Sequence, residues 1–162
     1  MKKICFALTL LLCCGSAFAF DPVAGDITTG FSRDNRLEVV KDDIYRLMWQ
    51  DGAGVARGYY NEAVKYCENL KFAGYSDWRL PTINELLSIT DDSRYNPAIN
   101  KAFKNVAYET NDKGEKRHGW YWSSTRSTGA SFGAWFVLFR DGADADWLNG
   151  SPSGFVRCVR DY

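Results

Sequence analysis

Histidine is nearly absent from this chain, since His118 is the only one among its 162 residues. A serine or cysteine nucleophile normally needs a histidine base held nearby. Ser123, Ser124 and Thr125 follow a tryptophan in a β-rich run and lack the glycine elbow of a hydrolase, so their hydroxyls are expected to bond backbone groups instead. The sequence therefore predicts no catalytic residue, and we expect a protein that is not an enzyme.

An excess of positive charge is also missing, because 20 lysines and arginines are matched by 20 aspartates and glutamates. Proteins that bind nucleic acid or anionic lipid usually carry a basic patch or stripe, and none runs along this chain. Beyond residue 19 there is no apolar run long enough to cross a bilayer. We expect neither nucleic acid nor a transmembrane segment in the mature protein.

The first 19 residues have the pattern of a secretory signal peptide. Lys2 and Lys3 precede an apolar run over residues 4–14, and residues 17–19 form an A-x-A cleavage site. The mature chain is expected to begin near Phe20, with 18 basic residues against 20 acidic ones and a net charge of −2. This pattern predicts a periplasmic or secreted protein.

Cysteine becomes scarce after the signal, where Cys67 and Cys158 are the two that remain. An even pair in an exported protein predicts a disulfide, and two buried free thiols are the alternative. The bond would close a loop of about 90 residues, which chain entropy values at about 4–5 kcal/mol. Cys13 or Cys14 would matter only if the N-terminus were instead a lipoprotein signal.

The first part of the mature chain alternates between turn-rich and β-rich stretches. Residues 20–34 are rich in Gly, Asp and Thr and are expected to be an irregular lead-in. Residues 36–41 and 44–50 are two β-rich runs separated by two aspartates, which predicts a hairpin. Residues 51–58 contain three glycines and are expected to form a turn.

Two helices are predicted next. Apolar residues recur at three- and four-residue steps from Tyr59 to Leu70, which places Cys67 on the buried face of a helix that Gly74 would end. In the following stretch, "DWRLPTINELLSI", Thr82 can act as the N-cap of a short second helix.

The residues around this second helix start have assigned roles. Pro81 keeps the residue before it extended. Glu85 completes a Thr-x-x-Glu capping box. Strand alternation places Arg79 opposite its two apolar neighbours, where we expect it to pair with a carboxylate.

The second half of the chain is predicted to be a long loop followed by strands. Residues 91–119 are polar and irregular, and a loop of this length in a compact domain is usually functional or mobile. Residues 120–124, 132–140 and 155–160 each predict a strand, and the middle one is apolar on both faces, so it should be central and covered on both sides. The layout predicts an α+β domain.

Oxygen-bearing side chains cluster in "RDGADADWLNG" and suggest a candidate calcium site. Asp141, Asp144, Asp146 and Asn149 are ligands of the type that a hard cation prefers, although the spacing is not that of an EF-hand. The alternative is an edge strand whose aspartates discourage pairing with other chains, followed by an Asn-Gly turn.

Six tryptophans divide between core and loop borders. Trp49, Trp78 and Trp135 lie in apolar patterns and are predicted to be core residues. The other three border loops, where a ring could stack on a sugar or a peptide, or simply pack at the rim. The candidate ligand-binding residues are Trp120, Trp122, Arg140, Asp144, Asp146, Trp147 and Asn149.

Four stretches in one order carry a family resemblance. "VVKDDIYRLMWQD", "EAVKYCENLKFAGYSDWRLPTINELLSI", "YWSST" and "FVRCVR" together resemble the Lcl C-terminal domain family over roughly residues 35–160. The resemblance implies a fold similar to C-type lectin-like domains and to the formylglycine-generating enzyme group, with two helices packed on curled antiparallel sheets and a long loop region. It also implies a disulfide between the first helix and the last strand, which Cys67 and Cys158 match.

The resemblance bears on function as well. Formylglycine-generating relatives rely on a cysteine pair near the C-terminus, and iron-dependent relatives on several histidines, whereas Cys158 has no close cysteine neighbour and His118 stands alone. The family's namesake is the tip of a collagen-like bacterial adhesin that binds sulfated polysaccharides. This chain has no Gly-X-Y repeats, and after removal of the signal its acidic residues slightly outnumber its basic ones.

These observations define the predicted organisation and function. Residues 1–19 are the signal peptide, 20–34 the lead-in and 35–162 the domain. We expect an exported, non-enzymatic module that binds a glycan or a protein at the bacterial envelope or outside the cell, through residues 91–131 and 141–153. The alternative is a structural or assembly partner in the periplasm. No cofactor is expected, calcium being the one candidate.

Overall fold

The structure, a computed structural model, describes residues 27–28, 30–128, 133–146 and 153–162. Its two described helices are α1 (Tyr60–Glu68) and α2 (Ile83–Ser88). The described strands are β1 (Ile27–Thr28), β2 (Phe31–Asp34), β3 (Val39–Asp42), β4 (Leu47–Gln50), β5 (Ala56–Gly58), β6 (Tyr108–Thr110), β7 (Lys116–His118), β8 (Trp120–Arg126), β9 (Ala134–Leu138), β10 (Ala143–Asp146), β11 (Gly154–Val156) and β12 (Val159–Asp161). The predicted α+β class is confirmed.

The strands form two five-stranded sheets and a separate two-stranded ribbon. The first sheet has the order β1-β2-β3-β4-β12 and the second the order β10-β9-β8-β11-β5, while β6 pairs with β7 alone. All pairs are antiparallel except β11 with β8, which are parallel. The chain crosses from the second sheet to the first between β11 and β12.

The first sheet is built from two hairpins of the same design. Asp34 and Asp42 each end a strand, and one carboxylate oxygen of each accepts hydrogen bonds from the amides two and three residues later, at 2.8–3.1 Å. Glu38 and Arg46 end the turns in the left-handed region, with φ of 54° and 58°. The β3–β4 hairpin is confirmed, but residues 31–34 are a fully buried strand and not an irregular lead-in.

Three predicted boundaries differ from the structure. The expected turn over residues 51–58 contains strand β5, which pairs with β11 at the sheet edge. The expected strand over residues 155–160 divides into β11 and β12 because the chain changes sheets there. Helix α1 ends well before Gly74, whose φ of 84° instead forms a tight turn in which Phe72 and Tyr75 exchange backbone hydrogen bonds.

Strand β9 is interior to its sheet but not central, because it lies between the edge strand β10 and β8. Trp135, Phe136 and Leu138 are only half-buried, so the expectation of full cover on both faces is wrong. Trp135 is correspondingly not a full core residue, whereas Trp49 and Trp78 are buried as predicted. The central strand of this sheet is β8.

Neighbouring residues of several strands enter two different apolar clusters. Successive side chains of a strand point to opposite faces, and here both faces are covered. Each of the following pairs contributes its first member to one cluster and its second to the other: Val40 and Val39, Trp49 and Met48, Tyr121 and Trp122, Phe155 and Val156, Val159 and Cys158.

A disulfide joins Cys67 of α1 to Cys158, at the crossover between the sheets, with a Cα–Cα distance of 5.5 Å. Both cysteines are fully buried. The predicted pairing is confirmed.

The predicted partner of Arg79 is also present. Its guanidinium donates two hydrogen bonds of 2.8 Å to Glu85 and one of 3.0 Å to Asp161, and its backbone pairs with Val159 of β12. Thr82 and Glu85 form the predicted capping box of α2. Burial raises the pKa of Glu85, but the hydrogen bonds from Arg79 and from the Thr82 amide outweigh that effect and hold the pKa below its usual range.

Candidate functional site

The segment over residues 91–119, predicted as one irregular loop, contains the β6–β7 ribbon. Asn111 organises its turn, since its side-chain oxygen accepts hydrogen bonds from the amides of Lys113 and Glu115 at 3.0 and 2.9 Å. Gly114 adopts a φ of 78°, which a glycine tolerates without strain. All three residues of β6 are exposed, so the ribbon stands at the surface.

A buried carboxylate anchors the start of this segment. Asp51 accepts hydrogen bonds from the amides of Lys104 at 2.9 Å and Asn105 at 3.3 Å, and from the guanidiniums of Arg33 and Arg157. The side chain of Asp51 is fully buried, and those of the two arginines are 4% or less exposed. Burial lowers the pKa of Arg157, because removal from water disfavours its charged form. Such a cluster fixes the segment to the core.

Asn96 attaches the ribbon to the body of the domain. Its side-chain Nδ2 donates to the Lys116 carbonyl at 2.7 Å, and its Oδ1 accepts from the His118 amide at 2.9 Å. Oδ1 also lies 3.0 Å from Nδ1 of His118, which must carry the proton because the amide oxygen can only accept. Burial lowers the pKa of His118, and nearby Lys116 lowers it further. The Asn96 amide donates to the Arg140 carbonyl at 2.7 Å.

A surface groove of about 280 Å³ lies where these three pieces of chain meet. We call it the tyrosine–arginine groove; it is lined by Tyr95, Asn96, Glu115, Lys116, Arg117 and Arg140. Tyr95 is 71% exposed, so a ring face is open to solvent. Arg140 is oriented by Asp141, whose carboxylate it contacts at 2.7 Å, and this hydrogen bond raises the pKa of the guanidinium.

The model of the Lcl C-terminal domain family matches residues 38–160, which include the ribbon, the groove and both bonded cysteines. This chain belongs to the Lcl C-terminal domain family. No curated protein matches the chain. Among the residues that the structure describes, no helix is long and apolar enough to cross a membrane.

Of the seven predicted ligand-binding residues of this Lcl C-terminal domain, Arg140 lines the groove. Trp122 is 1% exposed and donates its ring N–H to the Gly58 carbonyl at 3.0 Å, so it is a core residue and the prediction of a surface contact is corrected. Trp120 is half-buried, with its ring centroid 4.7 Å from that of Trp122. Trp120 begins the central strand of the second sheet, in agreement with the strand predicted over residues 120–124.

The remaining predicted site residues lie on or beyond the edge strand β10. Asp144 is exposed there, and Asp146 accepts a hydrogen bond from Ser127. Trp147 and Asn149 lie outside the described residues. The structure therefore brings Arg140 together with groove residues that were not predicted individually, and it leaves Asp144 and Asp146 on the edge strand.

The candidate calcium ligands include side chains that are already engaged. The Asp141 carboxylate contacts Arg140, a hydrogen bond that lowers the pKa of Asp141, and it also accepts from the Ala143 amide at 3.3 Å. Within the described ranges, no three His, Cys, Asp or Glu side chains come together as metal ligands do. A calcium site that includes Asn149 stays a prediction.

Two hydroxyl groups that follow Trp122 form hydrogen bonds with backbone groups. Ser123 is fully buried and its Oγ donates to the Trp135 carbonyl at 2.8 Å. Thr125 Oγ1 accepts from the Ile83 amide at 3.0 Å, which fixes the start of α2. Both arrangements agree with the expectation that these hydroxyls bond backbone groups.

Proposed function

We propose that this Lcl C-terminal domain is an exported, non-enzymatic binding module, and that the tyrosine–arginine groove holds a glycan at the bacterial envelope or outside the cell. The observation that carries the proposal is the exposed Tyr95 ring beside the cations of Arg117 and Arg140, on a frame held by Asn96. An open aromatic face can stack on the apolar face of a sugar, and guanidiniums can donate to its oxygens.

The dimensions of the groove favour a sugar over a folded protein as the ligand there. A volume of about 280 Å³ is close to the lower end of the range for small-molecule pockets. A stable protein interface buries about 800 Å² on each partner, much more than six lining residues provide. The groove therefore suits one or two sugar units of a longer chain.

Two further parts of the proposal rest on the sequence. The signal-peptide pattern supports export to the periplasm or beyond. A lectin-like arrangement of helices and curled sheets is proposed from the family resemblance, and the two sheets with two helices are compatible with it. The absence of catalytic function is proposed because Ser123 is buried and its hydroxyl is engaged by the backbone.

The test is a glycan array on the purified mature chain, followed by titration calorimetry with the strongest ligand. Tyr95→Ala removes the stacking surface and should weaken binding about two- to tenfold, because such stacking is worth about 0.5–1.5 kcal/mol. Tyr45→Ala is the matched control, since Tyr45 is 61% exposed in the β3–β4 turn. An array without signal, or equal losses in both variants, would contradict the proposal. A stoichiometric protein partner without glycan binding would favour the alternative assembly role.

A further inference from the structure

Arg157 precedes Cys158 at the crossover between the sheets, and only 2% of its side chain is exposed. Its Nη1 donates to the Gln50 carbonyl at 2.8 Å and to Asp51 at 2.7 Å, and its Nη2 donates to the Asn105 carbonyl at 2.7 Å. The Nε–H is buried too, but within the described ranges no protein group accepts a hydrogen bond from it. Buried N–H groups in native proteins are nearly always bonded to protein or to ordered water. This donor therefore calls for an acceptor.

A small cavity is lined by this arginine and has room for one water molecule. It offers about 10 Å³ to the centre of a water molecule, close to the smallest volume at which a cavity holds a single water. Cavities that stay dry have apolar linings, whereas this one includes a guanidinium and two carboxamide residues. We call it the arginine cavity, and its lining is Gln50, Gly52, Val55, Asn105, Val156 and Arg157.

The two carboxamide residues of the arginine cavity have hydrogen-bonding capacity to spare. Gln50 accepts from the Cys158 amide at 3.2 Å and donates one N–H to Tyr66 at 3.0 Å, so its second N–H is left over. Asn105 donates from Nδ2 to the Asp51 carbonyl, while its Oδ1 accepts no hydrogen bond from the described part of the chain. A water that accepts from Arg157 keeps two hydrogens to donate, and Oδ1 of Asn105 is an acceptor for one of them.

We propose that a single water molecule is a permanent part of the fold in the arginine cavity, where it accepts from Nε of Arg157 and donates to Oδ1 of Asn105. Water suits the site better than an anion does, because chloride is larger and Asp51 already supplies a carboxylate to this guanidinium. The water adds a second link between the crossover and Asn105, which lies three residues before β6. The site goes beyond the proposed glycan binding and does not depend on it.

The Tyr121 hydroxyl is the alternative acceptor for Nε. Burial lowers the pKa of Arg157, and the nearby Tyr121 opposes that effect. The hydroxyl already accepts from the Ala107 amide at 2.7 Å, and Tyr121 does not line the arginine cavity. The experiment therefore has to separate a bound water from this hydroxyl.

The first measurement records magnetisation transfer from water to each arginine Nε–H, in NOESY and ROESY spectra of the isotope-labelled mature chain. A water that stays bound for longer than the protein takes to tumble gives NOE and ROE peaks of opposite sign, whereas chemical exchange gives peaks of the same sign. We expect opposite signs at the Nε–H of Arg157. Arg160 is the control in the same spectra, since its Nε donates directly to Asp77 at 2.7 Å and should show no bound water.

Three variants locate the water. Val55→Ile places an added methyl group in the cavity and should abolish the bound-water peak at Arg157, whereas Val55→Ala is the matched control and should keep it. Tyr121→Phe should also keep the peak, because the hydroxyl is not its source. Loss of the peak in Tyr121→Phe, or its persistence in Val55→Ile, would overturn the proposal.

A crystal structure grown with sodium bromide, at a resolution that shows ordered water, is the second measurement. It should contain a density peak at about 2.7–3.2 Å from Nε of Arg157, without an anomalous signal. The proposal is overturned if bromide gives an anomalous signal there, if the Tyr121 hydroxyl is the group bonded to Nε, or if the original chain shows no bound-water peak at Arg157.

Discussion

Asn96 provides the sharpest local test, because its side chain connects β7 to the body of the domain. Its carboxamide makes three contacts of 2.7–3.0 Å with Lys116 and His118. A hydrogen bond is worth about 0.5–1.5 kcal/mol net, and partial exposure places these in the lower half of that range. Loss of the side chain should therefore destabilise the attached ribbon by about 1.5–3 kcal/mol.

The choice of variant separates the side chain from the backbone. Asn96 has a φ of 46°, a left-handed conformation that asparagine and glycine tolerate and alanine does not. Asn96→Gly removes the hydrogen bonds without adding strain to the folded backbone. Asn96→Ala adds backbone strain, partly offset by the greater freedom of glycine in the unfolded chain, so it should cost about 0.5–1 kcal/mol more.

Amide hydrogen exchange measures this loss where it occurs, because a ribbon can open without global unfolding. In Asn96→Gly the Gly119 amide, which bonds across the ribbon to Ala107, should exchange about ten- to hundredfold faster. Asn69→Ala is the control, since the Asn69 side chain bonds the Lys65 carbonyl at the end of α1. Unchanged exchange of Gly119 in Asn96→Gly would refute the assigned role of Asn96.

Three further predictions concern stability measured by urea unfolding. Replacing Cys67 and Cys158 together by alanine should lower the free energy of unfolding by about 4–5 kcal/mol, because the bond closes a long loop, with a sequence separation of 91; a loss under about 1 kcal/mol would contradict this. Arg79 keeps the folded-state pKa of Glu85 below its ordinary value of 4.5, so this stabilisation is present above that pH and is lost as pH falls through the folded-state pKa. Glu85→Gln should therefore reduce the loss of stability on acidification. If the free energy of unfolding falls equally with pH in the variant and the original chain, the pairing is contradicted. Asp51→Asn leaves two buried guanidiniums without their carboxylate and should cost about 3–5 kcal/mol, whereas a neutral result would show that the cluster is not needed.

Local rules account for the parts of the fold that the sequence predicts correctly. The capping box at Thr82 and Glu85 is a short-range pattern with a defined hydrogen-bond geometry. Arg79 stands between two apolar residues in an extended segment, so its pairing with a carboxylate could be expected. Cysteine counting predicted the bond between Cys67 and Cys158 without knowledge of the fold.

The elements that were missed lack a periodic apolar signal. Strand β6 is exposed at all three positions, so no alternation between apolar and polar residues marks it. The signal that could have found the ribbon is its turn, where Asn111 precedes Gly114 by three residues. Strand β2 was missed because it ends in the polar run after Phe31, although Asp34 repeats the turn design of Asp42.

The candidate groove depends on contacts between distant parts of the chain. Tyr95, Arg117 and Arg140 are brought together by the Asn96 side chain and by backbone pairing, and sequence spacing does not reveal such a convergence. The misassigned tryptophan has a related cause. Both faces of β8 are covered, so the loop-border position of Trp122 did not indicate exposure.

Amide chemical shifts, followed during titration with the strongest glycan from the array, test the central claim most directly. Saturable shifts should centre on Tyr95, Arg117 and Arg140, and in Tyr95→Ala they should saturate only at higher glycan concentration. Saturable shifts confined to another surface, such as the β3–β4 turn, or an absence of saturable shifts with every array glycan, would contradict a glycan site in the tyrosine–arginine groove.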